Sequence, residues 1–384
     1  MRKSILGRWK TLGLLAIVAL TAGCSNPTGS GNSGASGGSG SGGSTGATGW
    51  QLVGTAGFSA DSVGHISLRV DSSGSPVLAY ADGASARTTV RKWNGSSWSL
   101  MGTRKEINGL PLALALSPAG TPWILVRDFA NSWGASVYAW DGSSWTLKGS
   151  ANFSGGQVNI SGALEFSSAG TAYAAYVFNG SPMSVHVKRF DGASWVDAGS
   201  NRASGGASKF PALAADASGN IYLAYKDNAG NGGVTVKELA GGSWQTVGTA
   251  DFTTLIDVDG PLDITVNAGV PYVAYNDSSG LTVRRFNGAA WELVGQTEFT
   301  GTDADMVSIC FDSSGTPYVS FEDSSYSQKA MMDVWSGSSW NSVGGGFSAG
   351  DASDLDMAIG SADAAYAAFS DNTQSWHLTV MKHP

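Results

Sequence analysis

The chain has 384 residues, 42% of them hydrophobic and 54 of them glycine, and its formal net charge is −8. Four of its 22 basic side chains lie in the first ten residues, so the remainder has 18 basic and 30 acidic residues. A body this acidic excludes the basic surface that nucleic-acid binding requires, and it is not attracted to anionic lipids.

The N-terminal residues are typical of a bacterial lipoprotein signal. Basic residues within 1–10 precede the apolar run LGLLAIVALTAGC, which is too short to span a bilayer stably. The run ends in LTAGC, which resembles a lipobox and identifies Cys24 as the residue that would be lipidated. We therefore expect residues 1–23 to be a signal peptide. The resemblance implies a diacylglycerol and an acyl chain such as palmitate on Cys24. An ordinary secretory signal, cut near Gly23, is the alternative.

The next segment is a candidate tether. Residues 24–48 consist almost entirely of Ser, Gly, Asn, Thr and Ala after the cysteine. Such a composition cannot bury apolar surface and behaves as a flexible coil, with a root-mean-square reach of roughly 25–30 Å for this length. We expect this segment to hold the following domain away from the membrane.

A long repeat occupies the rest of the chain, residues 49–384. Seven tryptophans recur at steps of 48, 47, 50, 49, 47 and 49 residues, and a glycine follows each of them four positions later. A period in this range indicates a stack of equal supersecondary units, none of which can bury its apolar surface alone. The units begin near Trp50, Trp98, Trp145, Trp195, Trp244, Trp291 and Trp340.

Each unit predicts four short strands. Asn-Gly or Asp-Gly turns such as WNGSSW at 93–98 are strong hairpin signals before the tryptophans. Upstream of them lie strand patterns such as GVPYVAYND at 269–277, and before those lie runs such as ISLRV at 66–70. Four strands in about 45 residues are typical of a β-propeller blade. The sequence therefore predicts an all-β, seven-bladed β-propeller.

The ends of the repeat predict how the ring closes. WQLVG at 50–54 is a fourth strand with no blade before it, and LTVMKHP at 378–384 is a third strand with no fourth strand after it. We predict that residues 50–54 pair with 378–382 and complete blade 7, which removes two exposed edges. The unit W-x-x-[VL]-G with G-x-P-Y-V-A-Y-x-D resembles a propeller repeat of secreted and surface lipoproteins from bacteria, a family of unassigned function. That resemblance implies the fold but no catalytic residue.

The most regular polar feature is an aspartate that ends the second strand of six units, whereas Phe178 replaces it in the third unit. These carboxylates would ring one face of the propeller and could attract a cation or a polyol. The other interpretation, which a sixfold repetition favours, is that each one accepts hydrogen bonds to start a turn. The six are Asp82, Asp128, Asp227, Asp277, Asp323 and Asp371.

Positions where the repeat breaks are better candidates for a site, because folding requires the regular positions. The loops between the second and third strands differ most, and they contain Trp133, Tyr326, Trp376 and His377. Exposed aromatic faces bind sugars or protein partners, although packing against a neighbouring blade is the alternative. Charged residues in the first strands are expected to line the axial channel; they are Arg69, Glu165, Asp263 and Asp356.

No spacing of the four histidines indicates a metal site, and no phosphate loop or nucleophile motif predicts a cofactor. We expect a monomeric, lipid-anchored protein of the bacterial cell envelope that binds a glycan or a protein without catalysis. The alternative is an envelope lyase or hydrolase that acts on glycans through carboxylates at the propeller face.

Overall fold

The computed structural model describes residues 49–253, 261–277, 279–301 and 304–384. The predicted signal peptide, Cys24 and the tether lie outside these residues. The described residues form seven four-stranded antiparallel sheets arranged as a β-propeller, which confirms the predicted fold class and blade number. Short 3-10 turns are the only helical elements among them, so no described helix has the length or apolarity to cross a bilayer.

Each blade contains four strands in chain order, which we label A to D from the axis outwards. Blade 1 contains β2 Val63–Val70, β3 Pro76–Asp82, β4 Arg87–Trp93 and β5 Trp98–Leu100. Blade 2 contains β6 Gly109–Leu116, β7 Pro122–Asp128, β8 Gly134–Trp140 and β9 Trp145–Leu147. Blade 3 contains β10 Val158–Phe166, β11 Ala172–Phe178, β12 Ser184–Phe190 and β13 Trp195–Asp197. Blade 4 contains β14 Ser208–Ala215, β15 Ile221–Asp227, β16 Val234–Ala240 and β17 Ser243–Thr246.

The remaining blades follow the same order until the ring closes. Blade 5 contains β18 Leu262–Asn267, β19 Val270–Asn276, β20 Leu281–Phe286 and β21 Trp291–Leu293. Blade 6 contains β22 Ala304–Phe311, β23 Pro317–Asp323, β24 Lys329–Trp335 and β25 Trp340–Ser342. Blade 7 contains β26 Ala352–Ile359, β27 Ala365–Asp371 and β28 His377–His383, and its strand D is β1 Gln51–Leu52.

The closure of the ring follows the prediction from the sequence. Gln51 pairs with Lys382 and Leu52 pairs with Met381, so the N-terminal strand supplies strand D of blade 7. Trp50 is 3% exposed and lies in a core cluster with residues of blades 6 and 7. Blade 7 is thus built from both ends of the repeat, three strands from one and one strand from the other.

The repeated tryptophans join each blade to the one before it. The indole Nε1 of every one donates a hydrogen bond, at 2.7–2.9 Å, to a carbonyl in strand D or the following turn of the preceding blade. The accepting residue stands three positions after that blade's own tryptophan. The pairs are Trp50 with Val343, Trp98 with Val53, Trp145 with Met101, Trp195 with Lys148, Trp244 with Ala198, Trp291 with Val247 and Trp340 with Val294.

The glycine that follows this carbonyl is required by the same contact. Gly149 has a φ of +73°, and a Cβ on it would lie 3.1 Å from the Trp195 ring. Gly248 has a φ of +71°, and a Cβ there would lie 3.2 Å from the Trp291 ring. A residue without a side chain meets both demands at little cost. The Trp-x-x-x-Gly spacing therefore places a carbonyl and a glycine of one blade beside the indole of the next.

Two further features seal the interfaces between blades. In five of the loops that lead from strand D to the next strand A, a phenylalanine stacks on the next tryptophan with ring centroids 4.0–5.0 Å apart. Apolar residues of strands A, B and C from adjacent blades form the core clusters, as Val77, Leu114 and Ile124 do between blades 1 and 2. The core of this protein thus lies between the sheets, around the ring.

Removal of the closing strand provides a test of this architecture. A fragment that begins at residue 56 loses the β1 pairing and the Trp50 indole, and we expect it to unfold at a much lower urea concentration. Trp50→Ala alone should lower the free energy of unfolding by about 3–5 kcal/mol, the usual cost of truncating a buried tryptophan. Gln51→Ala is the matched control, because the Gln51 side chain is exposed. A fragment from residue 56 that unfolds like the intact ring would contradict this closure.

Candidate functional site

The loops that join strand B to strand C, and strand D to the next strand A, lie on one face of the propeller, which we call the loop face. Strands within each blade are antiparallel, so both kinds of loop leave the sheet at the same end. All of the loop aromatics and aspartates proposed from the sequence belong to this face. On this face, one set of residues holds the loops in place and another set is available to a ligand.

The aspartates that end strand B hold the loop face together. Asp82, Asp128, Asp227, Asp277 and Asp371 each accept a hydrogen bond from a Ser or Thr hydroxyl of strand C. In all five blades that hydroxyl accepts from a backbone N–H of the next loop; the donors are Lys105, Asn152, Asp251, Glu298 and Gly57. Asp323 instead caps its own loop through Ser325, at 2.8 Å from the backbone nitrogen and 2.7 Å from the hydroxyl. These contacts support the interpretation of the aspartates as turn-forming residues.

Five of these aspartates are buried, and the partly exposed Asp227 is the exception. Their carboxylates therefore point into the blades and not towards solvent above the face. In blade 1 the Arg104 guanidinium joins Asp82 to Asp61 and extends the same network. At the third blade, Phe178 takes the aspartate position and packs beside the His186 ring, with centroids 5.4 Å apart.

The B–C loops of blades 2, 6 and 7 share one backbone conformation. Trp133, Gln328 and Trp376 all have a φ between +56° and +65°, and the serine before each of them is also left-handed. The N–H of each donates to the carbonyl of its strand B aspartate, at 2.8–2.9 Å, and its own carbonyl accepts from the next blade's strand A. Hydrogen bonds at both sides offset the cost of positive φ in residues with side chains. The loop backbone is thus fixed before any ligand arrives.

The predicted aromatic residues differ in exposure. Tyr326 is 58% exposed and Trp133 is 42% exposed, whereas Trp376 and His377 are half-buried. Tyr326 and Trp376 lie on the neighbouring blades 6 and 7, and blade 1 separates them from Trp133 on blade 2. The structure places all four on the loop face, within four consecutive blades.

Trp133 belongs to a small aromatic platform that consists of Arg127, Phe129 and Trp133. The guanidinium carbon of Arg127 lies 4.6 Å from the centre of the Trp133 ring, within the range of a cation–π interaction. The Phe129 ring lies 5.0 Å from the Trp133 ring, at 58° to its plane. An exposed indole is therefore held in place by a cation and a second ring, which reduces the entropy lost when a ligand stacks on it.

Arg127 and its counterparts were not singled out by the sequence analysis. They occupy the strand B position just before the aspartate, where the seven blades carry unrelated residues. Those residues are Ala81, Arg127, Val177, Lys226, Asn276, Glu322 and Ser370. This variation inside an otherwise regular strand was the available signal.

A second polar cluster, which we call the carboxylate seam, lies between blades 6 and 7 at the loop face. It consists of Asp305 and Glu322, which are opposite each other on β22 and β23, and of Asp351 and Asp354 on blade 7, whose charges act on Glu322. Burial raises the pKa of Glu322 well above its usual value, and the three neighbouring carboxylates raise that pKa further. The His65 backbone N–H of blade 1 donates to Asp354 Oδ1 at 2.7 Å. Burial lowers the pKa of the His65 imidazole.

The charged residues predicted to line the axial channel are buried. Arg69, Glu165, Asp263 and Asp356 are each at most 5% exposed. Asp356 Oδ2 accepts from the Leu68 N–H at 2.7 Å, and Asp263 Oδ2 accepts from the Ile309 N–H at 3.0 Å, so these carboxylates join adjacent blades. Burial raises the pKa of Glu165 to about 7 and that of Asp356 to about 6, while Arg69 opposes both shifts. These residues form a charged axial core and not a solvated channel lining.

Within the described ranges, no group of three or more His, Cys, Asp or Glu side chains has an arrangement that could hold a metal ion. The loop face presents the exposed Trp133 ring, the Arg127 guanidinium and the carboxylate seam.

The comparisons with known proteins extend the description of the fold. No protein-family model matches the chain, and no curated protein matches it. A mutant of the Aleuria aurantia lectin in complex with Fucalpha1-6GlcNAc is 16% identical, with a TM-score of 0.52, and the match covers 75% of this chain and 98% of that one. AofleA from Arthrobotrys oligospora is 11% identical, with a TM-score of 0.51, and the match covers 74% of this chain and 87% of that one.

A further structure of the Aleuria aurantia lectin, described as six-bladed, has a TM-score of 0.50 and is 15% identical over 74% of this chain and 96% of that one. At these identities the likeness is one of fold. The chain shares the propeller architecture of these proteins and has one blade more than the six-bladed lectin.

The axial core predicts how stability depends on pH. The raised pKa values of Glu165 and Asp356 mean that the folded state binds protons more tightly than the unfolded chain does, so the free energy of unfolding falls as pH rises from about 4 to 7. Glu165→Gln should flatten this dependence and raise stability at pH 7 by about 1–3 kcal/mol, since each unit of pKa corresponds to about 1.4 kcal/mol.

Urea unfolding at several pH values measures this effect. Glu292→Gln is the control, because Glu292 is exposed and its pKa is lowered by Arg285, so its contribution has the opposite sign. An unchanged pH profile in Glu165→Gln would show that this carboxyl is not desolvated in the folded state.

Proposed function

We propose that this protein is a lipid-anchored binding module of the bacterial cell envelope that recognises glycans through its loop face without catalysing a reaction. The observation that carries the proposal is the aromatic platform, in which Arg127 and Phe129 hold the exposed Trp133 ring. An aromatic face with a polar group beside it suits a sugar, whose ring offers an apolar face and hydroxyls at its edge. The shared fold with glycan-binding propellers supports the same proposal.

The arrangement of the face also favours binding. Hydrogen bonds fix the B–C loops of blades 2, 6 and 7 on both sides of their left-handed residues. A loop that is already fixed loses less conformational entropy when a ligand binds. Tyr326 and Trp376 supply further aromatic surface on blades 6 and 7, so several sugar units of one glycan could contact the face together.

A glycan array with residues 49–384 tests the proposal, since this range holds both strands that close the ring. Alanine at Trp133 should weaken binding of the best glycan roughly thirtyfold, which corresponds to about 2 kcal/mol for an aromatic residue at the centre of an interface. Alanine at Tyr326 and Trp376 should weaken it further. The melting temperature should change little in the Trp133 and Tyr326 variants, because these two rings are exposed.

Trp244→Ala is the matched control. Its indole donates to the Ala198 carbonyl of the preceding blade, so the substitution should lower the melting temperature without selectively removing the glycan. If Trp133→Ala melts early and still binds, then Trp133 is a packing residue and this site is wrong. Cleavage of the array glycans by the unmodified protein would instead favour a glycan-active enzyme.

The proposed anchor has its own test. Cys24→Ser should leave the precursor uncut by the lipoprotein signal peptidase and should move the protein from the detergent phase to the aqueous phase. Wild-type protein should incorporate a fatty-acid analogue during growth, and the variant should not. Wild-type protein that incorporates no fatty acid would show that the lipobox assignment is wrong.

A further inference from the structure

We propose that Arg127 binds the carboxylate of an acidic sugar whose ring contacts the exposed part of Trp133, so that the loop face selects glycans that contain a uronic or a sialic acid. The inference rests on the proposed function, because it specifies the class of glycan that the aromatic platform recognises. It gives Arg127 a role in specificity in addition to its contact with the indole.

The Arg127 guanidinium has no ionic partner within the described ranges. It forms no ion pair there, although the chain contains 30 acidic residues. Its Nε is buried and has no hydrogen-bond partner in the part of the chain that the structure describes. The exposed Arg285 of blade 5, by contrast, pairs with Glu292 at 2.7 Å. Arg127 is therefore a cation whose capacity to bind an anion is unused within these ranges.

The neighbouring carboxylate of Asp128 is used by its own loop. Successive residues of a strand point to opposite faces of the sheet, so the Asp128 side chain leaves β7 on the other side from Arg127. Its Oδ2 accepts hydrogen bonds from Ser136 Oγ at 2.8 Å and from Asn131 Nδ2 at 2.9 Å, and its Oδ1 accepts from the Ala130 N–H at 3.0 Å. The adjacent aspartate thus does not neutralise the guanidinium.

An unpaired cation in this position is unfavourable for the free protein. Arg127 is half-buried, and burial lowers the pKa of its guanidinium, although the group stays charged at physiological pH. Removing a charge from water costs free energy, and a hydrogen-bonded ion pair offsets that cost. A ligand carboxylate would supply both the opposite charge and the acceptors for the N–H groups.

Trp133 places an apolar surface beside this cation. The guanidinium carbon of Arg127 lies 4.6 Å from the centre of the indole ring, and Trp133 is 42% exposed. The five N–H donors of a guanidinium lie in its own plane, so it can stack on a ring and still bind a carboxylate through two parallel hydrogen bonds. A sugar whose carboxylate is bonded directly to its ring can therefore contact the indole and the guanidinium together.

The combination of a cation in strand B with an aromatic residue in the following loop occurs in blade 2 alone of the seven repeats in the sequence. Blade 4 has Lys226 at the Arg127 position, but its loop NAGNGG at 228–233 contains no aromatic residue. Blade 6 combines Tyr326 with Glu322, and blade 7 combines Trp376 with the uncharged Ser370. We therefore expect one subsite for an acidic sugar in each chain.

Titration calorimetry with the full chain in detergent tests the proposal. The ligands are a galacturonic acid trimer, sialyllactose and the methyl ester of each, which removes the charge and changes the size little. Physiological ionic strength screens the excess acidic charge of the chain beyond about 8 Å. We expect the acid of at least one pair to bind roughly tenfold more tightly than its ester, a difference of about 1.4 kcal/mol. The pair that shows the preference identifies the kind of acidic sugar.

Arg127→Gln should reduce the affinity for the acid to that for its ester. A loss of support for Trp133 would weaken acid and ester alike, so the ratio of the two affinities separates anion binding from packing. Arg127→Lys keeps the charge but not the planar donors, and it should keep part of the preference. Arg189→Gln is the matched control, because Arg189 is exposed near the end of β12 that lies away from the loop face. It should keep the full preference.

The outcomes separate the two proposals. Equal affinity for acid and ester in both pairs, or a preference for the acid that persists in Arg127→Gln, would overturn the acidic-sugar subsite and leave glycan binding by the aromatic platform intact. Binding of neutral array glycans alone would have the same meaning. A wild-type protein that binds neither these four ligands nor any glycan on the array would overturn the proposed function itself.

Discussion

The hydrogen bond from each tryptophan indole to a carbonyl of the preceding blade is the interaction on which this ring depends. It recurs in all seven blades at nearly constant length, and it fixes where one sheet stands relative to the next. Because a single blade cannot bury its own faces, stability arises between the sheets, where each indole excludes water from its neighbour's edge. The glycine beside the accepting carbonyl is part of the same contact, since a side chain there would displace the ring.

Positions that repeat in the blades build the scaffold of this protein, and positions that differ between blades form its candidate site. The regular tryptophans, glycines and strand B aspartates all have partners that build the scaffold, and the aspartate chain through strand C hydroxyls ties the two kinds of loop together. Side chains that differ between blades are therefore not required to build the scaffold. The aromatic platform and the carboxylate seam both consist of such residues, and they lie on blades whose loops share one rigid backbone form.

The fold was predictable from the sequence because its determinants are local and repeated. The Trp-x-x-x-Gly spacing, the turn before each tryptophan and the unpaired strands at 50–54 and 378–384 predicted the blade number and the closure. The loop aromatics were likewise visible as departures from the repeat. Their different exposures were not, because the burial of Trp376 depends on how its loop packs in the closed ring.

The residues around those aromatics could not be derived in the same way. Glu322 and Asp354 come from different blades, and His65, which is bonded to Asp354, is 289 positions away in the chain. Arg127 lies in a strand whose alternation resembles that of every other blade, so only the folded ring shows that it supports Trp133. The axial charges were recognised in the sequence, but their burial and their role as links between blades follow from the narrowness of the ring centre.

The closing strand has a mechanical consequence as well. Gly49 lies against the His383 ring, so the chain enters the propeller at the face opposite the loop face, beside its own C-terminal strand. Tension on a tether attached at residue 49 would act first on β1. Only two residue pairs join β1 to β28, the shortest strand pairing in the ring. The Trp50 indole, which donates a hydrogen bond to the Val343 carbonyl and stacks on Phe347, would resist this force next. A force applied at the N-terminal end of the propeller therefore acts on the same strand and the same tryptophan that close the ring.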